Sequence, residues 1–497
     1  MMKKISIIGG GLGGLSAAIT LAHHGFLVDV FEKNDHFGGK LMKVTLGDYS
    51  FDFGPNTITM PHVFGQVISQ TGEDPDDYIQ FEKIDVHTRN FFSDVVFDLS
   101  SSKEVMLQQL SKLDPLGAKQ YEKFLSEVKK LYELSDKYFL PRTFTSWQDY
   151  LSPSLALALV QAKPHTTMHS FIGRYFSNKN VQKSLERYAT YVGSSPYLLP
   201  ATFGMIAYLE LVQGVFTVKG GTHKIADAFV DVARKLGVGL HSNSEVKQLI
   251  VNGRSVQSII LENGEAYECD EVILNGDLFH SLPKLIHEQK RRSLSDKKIE
   301  KIEPSISAFV ILAGVSTRYR QLLHHNVFFS KDYKKEFEDL FEHKTYSSDP
   351  TIYICNSSFT DKTISPKGDN LFILVNAPSL TDENRTIDKD TYKQMIYNRL
   401  EEEGLNIRPY LIEEKVIAPS DIQEQFYAFK GSLYGISSNE KANAFLRPSN
   451  KSKDLKNLYF VGGSTHPGGG SPMVTISGMN VAREIVKKQK MDTSKAT

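Results

Sequence analysis

The stretch "ISIIGGGLGG" at residues 5–14 sets a short apolar run directly before a set of glycines. Ile5, Ile7 and Ile8 read as a buried strand, and beyond the glycines Leu15, Ala18, Ile19 and Ala22 recur at the i, i+3, i+4, i+7 spacing of one helix face. The loop therefore joins a strand to a helix. In that setting Gly9, Gly11 and Gly14 have separate jobs: a tight turn, close approach of a pyrophosphate, and close contact between helix and strand. The unpaired N–H groups at the start of the helix are then available to phosphate. A second strand, "FLVDVFE", ends at Glu32, where a carboxylate can accept hydrogen bonds from both ribose hydroxyls of an adenosine and disfavours a phosphate on that ribose. Strand, turn, helix, strand and acid in this order predict a dinucleotide site, with FAD and NAD both compatible.

Composition narrows the field. At 497 residues the chain exceeds what one hydrophobic core usually serves, so more than one packed region is expected. Lys plus Arg and Asp plus Glu balance at 58 each, so no basic field suggests nucleic acid, and 40% hydrophobic with 11% aromatic content argues against disorder. Cys269 and Cys355 form no metal-ligand spacing and read as buried small residues in a reducing compartment. Met1 runs straight into the first strand, leaving no signal-peptide pattern, and charges interrupt every apolar stretch, so a cytoplasmic chain without a membrane span is expected. There is no fixed-period repeat, and only residues 491–497 read as a tail.

Two segments after Glu32 separate the cofactors. "KNDHFGGKL" carries Gly38, Gly39 and the cation Lys40, and "FDFGP" follows at 51–55. Here the chain resembles the FAD-dependent amine oxidase and phytoene desaturase superfamily, in which Glu, a Gly-Gly-Arg/Lys element and a D-x-G-P turn line the flavin side of the site. Lys40 stands where many members have Arg; the charge is kept and the bidentate fork lost, so the resemblance still implies a phosphate contact. Near the other end, "NLYFVGGSTHPGGGSPMVTISGMNVAREIV" at 457–486 gives a strand, a glycine loop that lets something approach its backbone, and a helix with Ser471 as N-cap and Pro472 first inside. Val474, Gly478, Val481, Ala482 and Ile485 share one helix face. The positive helix end suits the edge of an isoalloxazine that becomes negative on reduction. Thr465 to Gly468, Gly470 and Pro472 match a loop of carotenoid desaturases, and that match favours a hydrogen-bonding structural role for His466 over an acid–base one. In the middle, a helix from about Ile225 to Leu236 and a strand through Val246 precede a buried strand, Val272 to Leu274. The resemblance places the backbone of Val246 beside the adenine.

These readings predict an α/β fold: a Rossmann-like FAD-binding domain assembled from 1–85, 217–280 and 425–490, with an inserted substrate domain. Of the insert, 86–216 reads as largely helical and membrane-facing, with aromatics Tyr132, Tyr138, Phe139, Trp147 and Tyr150 that are expected to be core more than pocket, and 281–424 as a mixed sheet walling a cavity. The cofactor-binding set expected from motifs and resemblance is Gly9, Gly11, Leu12, Gly13, Gly14, Glu32, Lys33, Gly39, Lys40, Leu41, Gly54, Pro55, Val246, Gly463, Gly470, Met473 and Val474. No metal site and no catalytic side chain is assigned; His324, His325 and His466 are read as structural.

"YVGSSPY" at 191–197, "LLHHNVFF" at 322–329, "SSDPTIYI" at 347–354 and the 458–474 loop are similar to bacterial desaturases of the acyclic C30 carotenoid pathway and to their sister oxidases of a terminal methyl. That resemblance implies an acyclic carotenoid substrate, oxygen or a quinone as electron acceptor, peripheral attachment to a membrane surface, and methyl oxidation of the diaponeurosporene oxygenase kind ahead of desaturation. Readings as an amine or protoporphyrinogen oxidase, or as a non-enzymatic isoprenoid-binding protein resembling GDP-dissociation inhibitors, rank below these because the mid-chain motifs favour the carotenoid branch and the C-terminal glycine loop is intact.

Overall fold

The computed structural model describes residues 2–144, 149 and 152–496. A five-stranded parallel sheet runs in the order Leu458–Phe460, Glu271–Leu274, Lys4–Ile8, Leu27–Phe31 and Gly239–His241. Its strands are short and apolar because both faces are covered, as parallel sheets require. On one face lie the helices Leu12–His23, Lys224–Lys235 and Ser471–Ala496. On the other lies an antiparallel meander, Val246–Asn252, Ser255–Leu261 and Ala266–Glu268, which shares a core with Phe31, Val272 and Leu274.

The first and last helices approach closely where Gly478 faces Gly13 and Ser16. A Cβ on Gly478 would sit 2.0 Å from the Gly13 carbonyl oxygen, and Ser16 Oγ donates to the Thr475 carbonyl at 2.9 Å. This contact fixes the C-terminal helix against the glycine loop, so two ends of the chain form one site.

A second, seven-stranded sheet runs Leu411–Ile417, Ser307–Val315, Asn370–Ala377, Ile352–Asn356, His325–Phe328, Val86–Phe91, Val96–Ser100, antiparallel except where His325–Phe328 pairs with Val86–Phe91. The hairpin of Met42–Leu46 and Tyr49–Phe53 packs on it through Tyr49, Phe51 and Phe53. A helical layer with its own aromatic core stands beside this sheet. Its longest helix, Pro115–Tyr138, starts where the sequence dictates: Asp114 accepts the Gly117 N–H at 2.9 Å, Pro115 opens the first turn, and Tyr121, Phe124, Val128 and Leu131 form the buried stripe.

Several expected boundaries move. Residues 86–100 are a hairpin of the large sheet and not part of the helical layer, since alternating residues such as His87, Phe97 and Leu99 are buried there. Val246 opens a strand of the meander instead of closing the preceding one, because Asn243 at φ +51° turns the chain between them. Ser471 is the first helical residue and not the cap; the Val474 N–H already bonds to the Gly470 carbonyl. The helix continues through the expected tail to Ala496. Trp147 and Tyr150 lie outside the described residues.

Candidate functional site

Where the carboxyl ends of the parallel strands meet the glycine loops lies a cavity of about 810 Å³. Its wall shows what each glycine of the opening loop does. Gly9 turns at φ +100°, and a Cβ there would lie 3.0 Å from the Asn275 carbonyl oxygen. A Cβ on Gly14 would meet the Gly9 carbonyl oxygen at 2.3 Å, so this residue sets the distance between helix and strand from behind the wall. Gly11 has an ordinary extended conformation, φ −72°, and lines the cavity together with Leu12 and Gly13. No side chain caps the helix that begins there. Its first N–H groups thus face the cavity, an arrangement suited to the phosphates of a dinucleotide. Opposite, Gly39 at φ +62° packs its backbone against Gly11, where a Cβ would stand 3.3 Å from the Gly11 Cα.

The charged residues of the wall divide between the ligand side and the scaffold. Glu32, 5% exposed, accepts the Gly10 N–H at 2.8 Å and the Asn34 N–H at 2.9 Å, one on each carboxylate oxygen. Each oxygen keeps a second acceptor site, so the residue fits a ribose while pinning the loop. Lys33 Nζ donates to the Gln425 carbonyl at 2.7 Å and sits 4.4 Å from the Tyr427 ring centre; burial lowers its pKa. Lys40 is buried and donates to the Leu433 carbonyl at 2.8 Å, and desolvation pulls its pKa down to about 8 despite the nearby Asp277. Its ammonium braces the turn at 432–433 with part of its three-donor capacity while the side chain lines the cavity. Asp52 of "FDFGP" faces away from the cavity and accepts the Thr222 N–H at 2.7 Å and the His223 ring at 2.7 Å, which positions Gly54 and Pro55. Beyond Glu32 the wall continues through Val246, Glu245 and Tyr427, whose hydroxyl donates to Glu245 at 2.8 Å.

A second cavity of about 270 Å³ adjoins the first. The two share Gly54, Pro55, Phe372, Leu374, Leu433, Tyr434 and Gly469 to Ser471, so they meet at the start of the C-terminal helix. Much of its lining is apolar, from Leu140, Phe203, Met205, Ile206, Leu209 and Phe372. His466 borders it with its ring engaged: Nε2 pairs with the Phe139 carbonyl at 2.8 Å, Phe144 packs edge-on, and burial lowers its pKa to about 4. Arg447 ties the same loop down, donating to the carbonyls of Gly463 at 3.1 Å and Ile436 at 3.3 Å and to Ser438 Oγ at 3.1 Å.

One side of this second cavity is polar. Arg187, Tyr191 and Tyr353 line it. Behind them are Glu210, fully buried, with desolvation raising its pKa to about 7, and His87, whose pKa burial lowers to about 3. His324 pairs with Thr360 at 2.7 Å and His325 with the Tyr353 hydroxyl at 2.8 Å; with Cys355 their ligand atoms lie within 4.8 Å of one another, but each imidazole already holds a hydroxyl partner.

Of the sequence-derived set, Gly9, Gly11, Leu12, Gly13, Glu32, Lys33, Gly39, Lys40, Leu41, Gly54, Pro55, Val246, Gly463, Gly470 and Val474 stand on the wall of the larger cavity. Gly14 stands behind it, and Met473 lines the smaller cavity. Sequence reasoning missed Asn275, whose side-chain amide donates to the Gly9 carbonyl at 2.9 Å, as well as Asp277, Arg187 and Arg447. Only Asp277 carried a local signal: it caps the helix Leu278–Leu285 by accepting the Phe279 and His280 N–H groups.

The flavin containing amine oxidoreductase family matches residues 12–486. The 4,4'-diapolycopene oxygenase of a Methylomonas species is 35% identical over 492 residues, covering 97% of this chain and 98% of its own. The 4,4'-diaponeurosporene oxygenase of Staphylococcus haemolyticus is 33% identical over 492 residues, covering 97% of each. Among solved structures, an oxidoreductase from Methanosarcina mazei superposes with a TM-score of 0.63 at 16% identity, covering 97% of this chain and 100% of its own, which bears on fold alone.

Proposed function

The chain belongs to the flavin containing amine oxidoreductases and uses FAD, and from this premise we propose that it oxidises the terminal methyl of an acyclic C30 carotenoid, as a diaponeurosporene oxygenase-like enzyme. The observation that carries the reading is the junction of the two cavities: a cleft lined by glycine backbone opens, at the start of the C-terminal helix, into an apolar pocket. Bound FAD supplies a two-electron acceptor. The N–H groups of Leu12 and Gly13 hold the pyrophosphate, Glu32 the ribose, and the backbone of Val246 borders the adenine. Gly470, Ser471 and Val474 present the positive end of the last helix to the flavin edge that gains charge on reduction. Leu140, Phe203, Ile206 and Phe372 take a hydrocarbon chain end.

The oxygen atom of the product comes from O2 or from water, the electrons pass on to oxygen or a quinone, and the substrate arrives from a bilayer. No helix among the described residues is long and apolar enough to cross a membrane, so attachment is peripheral in this reading. Its contact points are Leu157 and Val160, 60% and 75% exposed on the helix Pro153–Gln161, and Leu446, 55% exposed next to the cavity-lining Phe445. Expression in bacteria that accumulate either diaponeurosporene or diapophytoene tests the proposal. The expected result is oxygenated, more polar pigment from diaponeurosporene and little change to diapophytoene. Conversion of colourless diapophytoene to yellow hydrocarbon polyenes would instead assign the chain to desaturation.

A further inference from the structure

Three arginines are buried among the described residues, Arg187, Arg291 and Arg447. Two are saturated in the way a structural arginine must be. Arg291 donates to the carbonyls of Ile286 at 3.0 Å and Leu294 at 2.8 Å and pairs with Asp296 at 2.5 Å. Arg447 is held by the carbonyls and hydroxyl already described. Arg187 is different. It is 8% exposed and lines the second cavity, yet among the described residues its guanidinium makes one hydrogen bond, to the Tyr191 hydroxyl at 3.3 Å. The rings of Tyr191 and Tyr353 bracket it at 5.4 and 4.9 Å. They hold its plane by cation–π attraction and leave the other donors to the cavity.

A buried guanidinium with unclaimed donors is expensive unless a ligand oxygen completes it. Glu210 favours the charge through space but forms no ion pair with the guanidinium, so its donors are not taken up there. The apolar part of the lining, Leu140, Phe203, Met205, Ile206, Leu209 and Phe372, accounts for a polyene but not for the cation.

We propose that Arg187, oriented by Tyr191 and Tyr353, recognises an oxygen atom, hydroxyl or carbonyl, on a polyene end that has already been oxidised. The residue thereby sets a preference for partly oxidised chains over the parent hydrocarbon. The inference rests on the polyene reading of the second cavity and deepens it. An oxygen accepting from a guanidinium is a charge-assisted bond, so its removal should weaken binding on the order of tenfold to a hundredfold.

The test is equilibrium binding to the FAD-loaded protein of two acyclic C30 polyenes of matched length, one ending in an aldehyde and one a hydrocarbon. In R187M the aldehyde should bind at least tenfold more weakly, and its absorption band should lose the red shift that a cation at the carbonyl produces, with hydrocarbon affinity nearly unchanged. Arg187→Lys should recover part of both. Equal losses for the two ligands, or no loss for the aldehyde, would overturn the proposal. Should R187M fail to load FAD, R187K and Y191F carry the comparison, with the same selective loss expected and equal behaviour of the two polyenes counting against it. Wild-type protein that binds neither polyene would defeat the reading of the cavity itself, a result distinct from loss of selectivity.

Discussion

Twelve glycines line the larger cavity, so much of its wall is main chain; the smaller cavity has four, and its lining comes from eleven separate stretches of the chain. Main-chain walls are set by φ, ψ and close approach, so a substitution acts on the fold at once. Side-chain walls can repack around a guest of a different shape. The difference matches the two tasks of the proposed reaction, since the cofactor is invariant whereas the substrate changes as it reacts.

Substitution should separate the two walls. Gly14→Val places atoms 2.3 Å from a main-chain oxygen that cannot withdraw, so we expect a loss of roughly 2–4 kcal/mol and little FAD-loaded protein in the soluble fraction. Leu209→Met, on the wall of the smaller cavity alone, conserves volume and should cost below about 1.5 kcal/mol with FAD retained. Thermal melts of purified holoprotein compare them, and equal costs would remove the distinction. Next in size is Glu32→Ala, expected to weaken FAD binding by roughly 1.5–3 kcal/mol through loss of a charged acceptor. Unchanged affinity by titration would reduce Glu32 to a brace for Gly10 and Asn34.

The polar side of the smaller cavity sharpens the contrast through pH. Glu210 has its pKa raised by burial to about 7, above the ordinary carboxylate value of an unfolded chain. A raised pKa means that the folded state holds the proton more tightly, so this contribution is complete below the unfolded pKa and is lost as pH rises toward 7. Glu210→Gln should therefore flatten the decline in melting temperature between pH 5 and 7, a difference of about 1–3 kcal/mol. A wild-type decline that persists in the variant would place its origin elsewhere, with Glu336, also raised to about 7, the first alternative. The smallest effect on stability belongs to the surface: Leu157→Ser with Val160→Ser should change it by no more than about 0.5 kcal/mol. The same pair should reduce flotation with liposomes, and undiminished flotation would exclude this helix as the membrane contact.

The larger cavity was legible in the sequence because its determinants are local. Gly9, Gly11, Gly14 and Glu32 follow one another within a strand–helix–strand unit, and the last glycine loop is continuous with its helix. Errors there are of one residue or one element, as with Ser471 and Val246, where a cap and a left-handed turn decide the boundary. Lys40 shows a deeper limit. Nothing near it in the sequence announces its bond to the Leu433 carbonyl, supplied by a segment almost four hundred positions away. The smaller cavity was legible only where Tyr191, Tyr353 and the loop at 466–473 fall in stretches that the family resemblance marked; Arg187 and Arg447 carried no such signal. Arg187, Tyr353 and Arg447 come from a helical turn, a strand and a loop with no shared motif, and only packing brings them together. The hairpin at 86–100 was hidden differently, because alternating burial over so few residues is easily absorbed into a neighbouring helical reading.

The claim on which the rest depends is that the two cavities form one reaction site, with cofactor in the larger and a polyene end in the smaller. A crystal structure of the protein with FAD and diaponeurosporene measures this directly. The dinucleotide should run from Val246 past Gly11 to Gly470, with a polyene end among Leu374, Tyr191 and Ile206. A polyene bound with both ends remote from Gly470, or a nucleotide lying outside the Gly11–Gly39 wall, would contradict it.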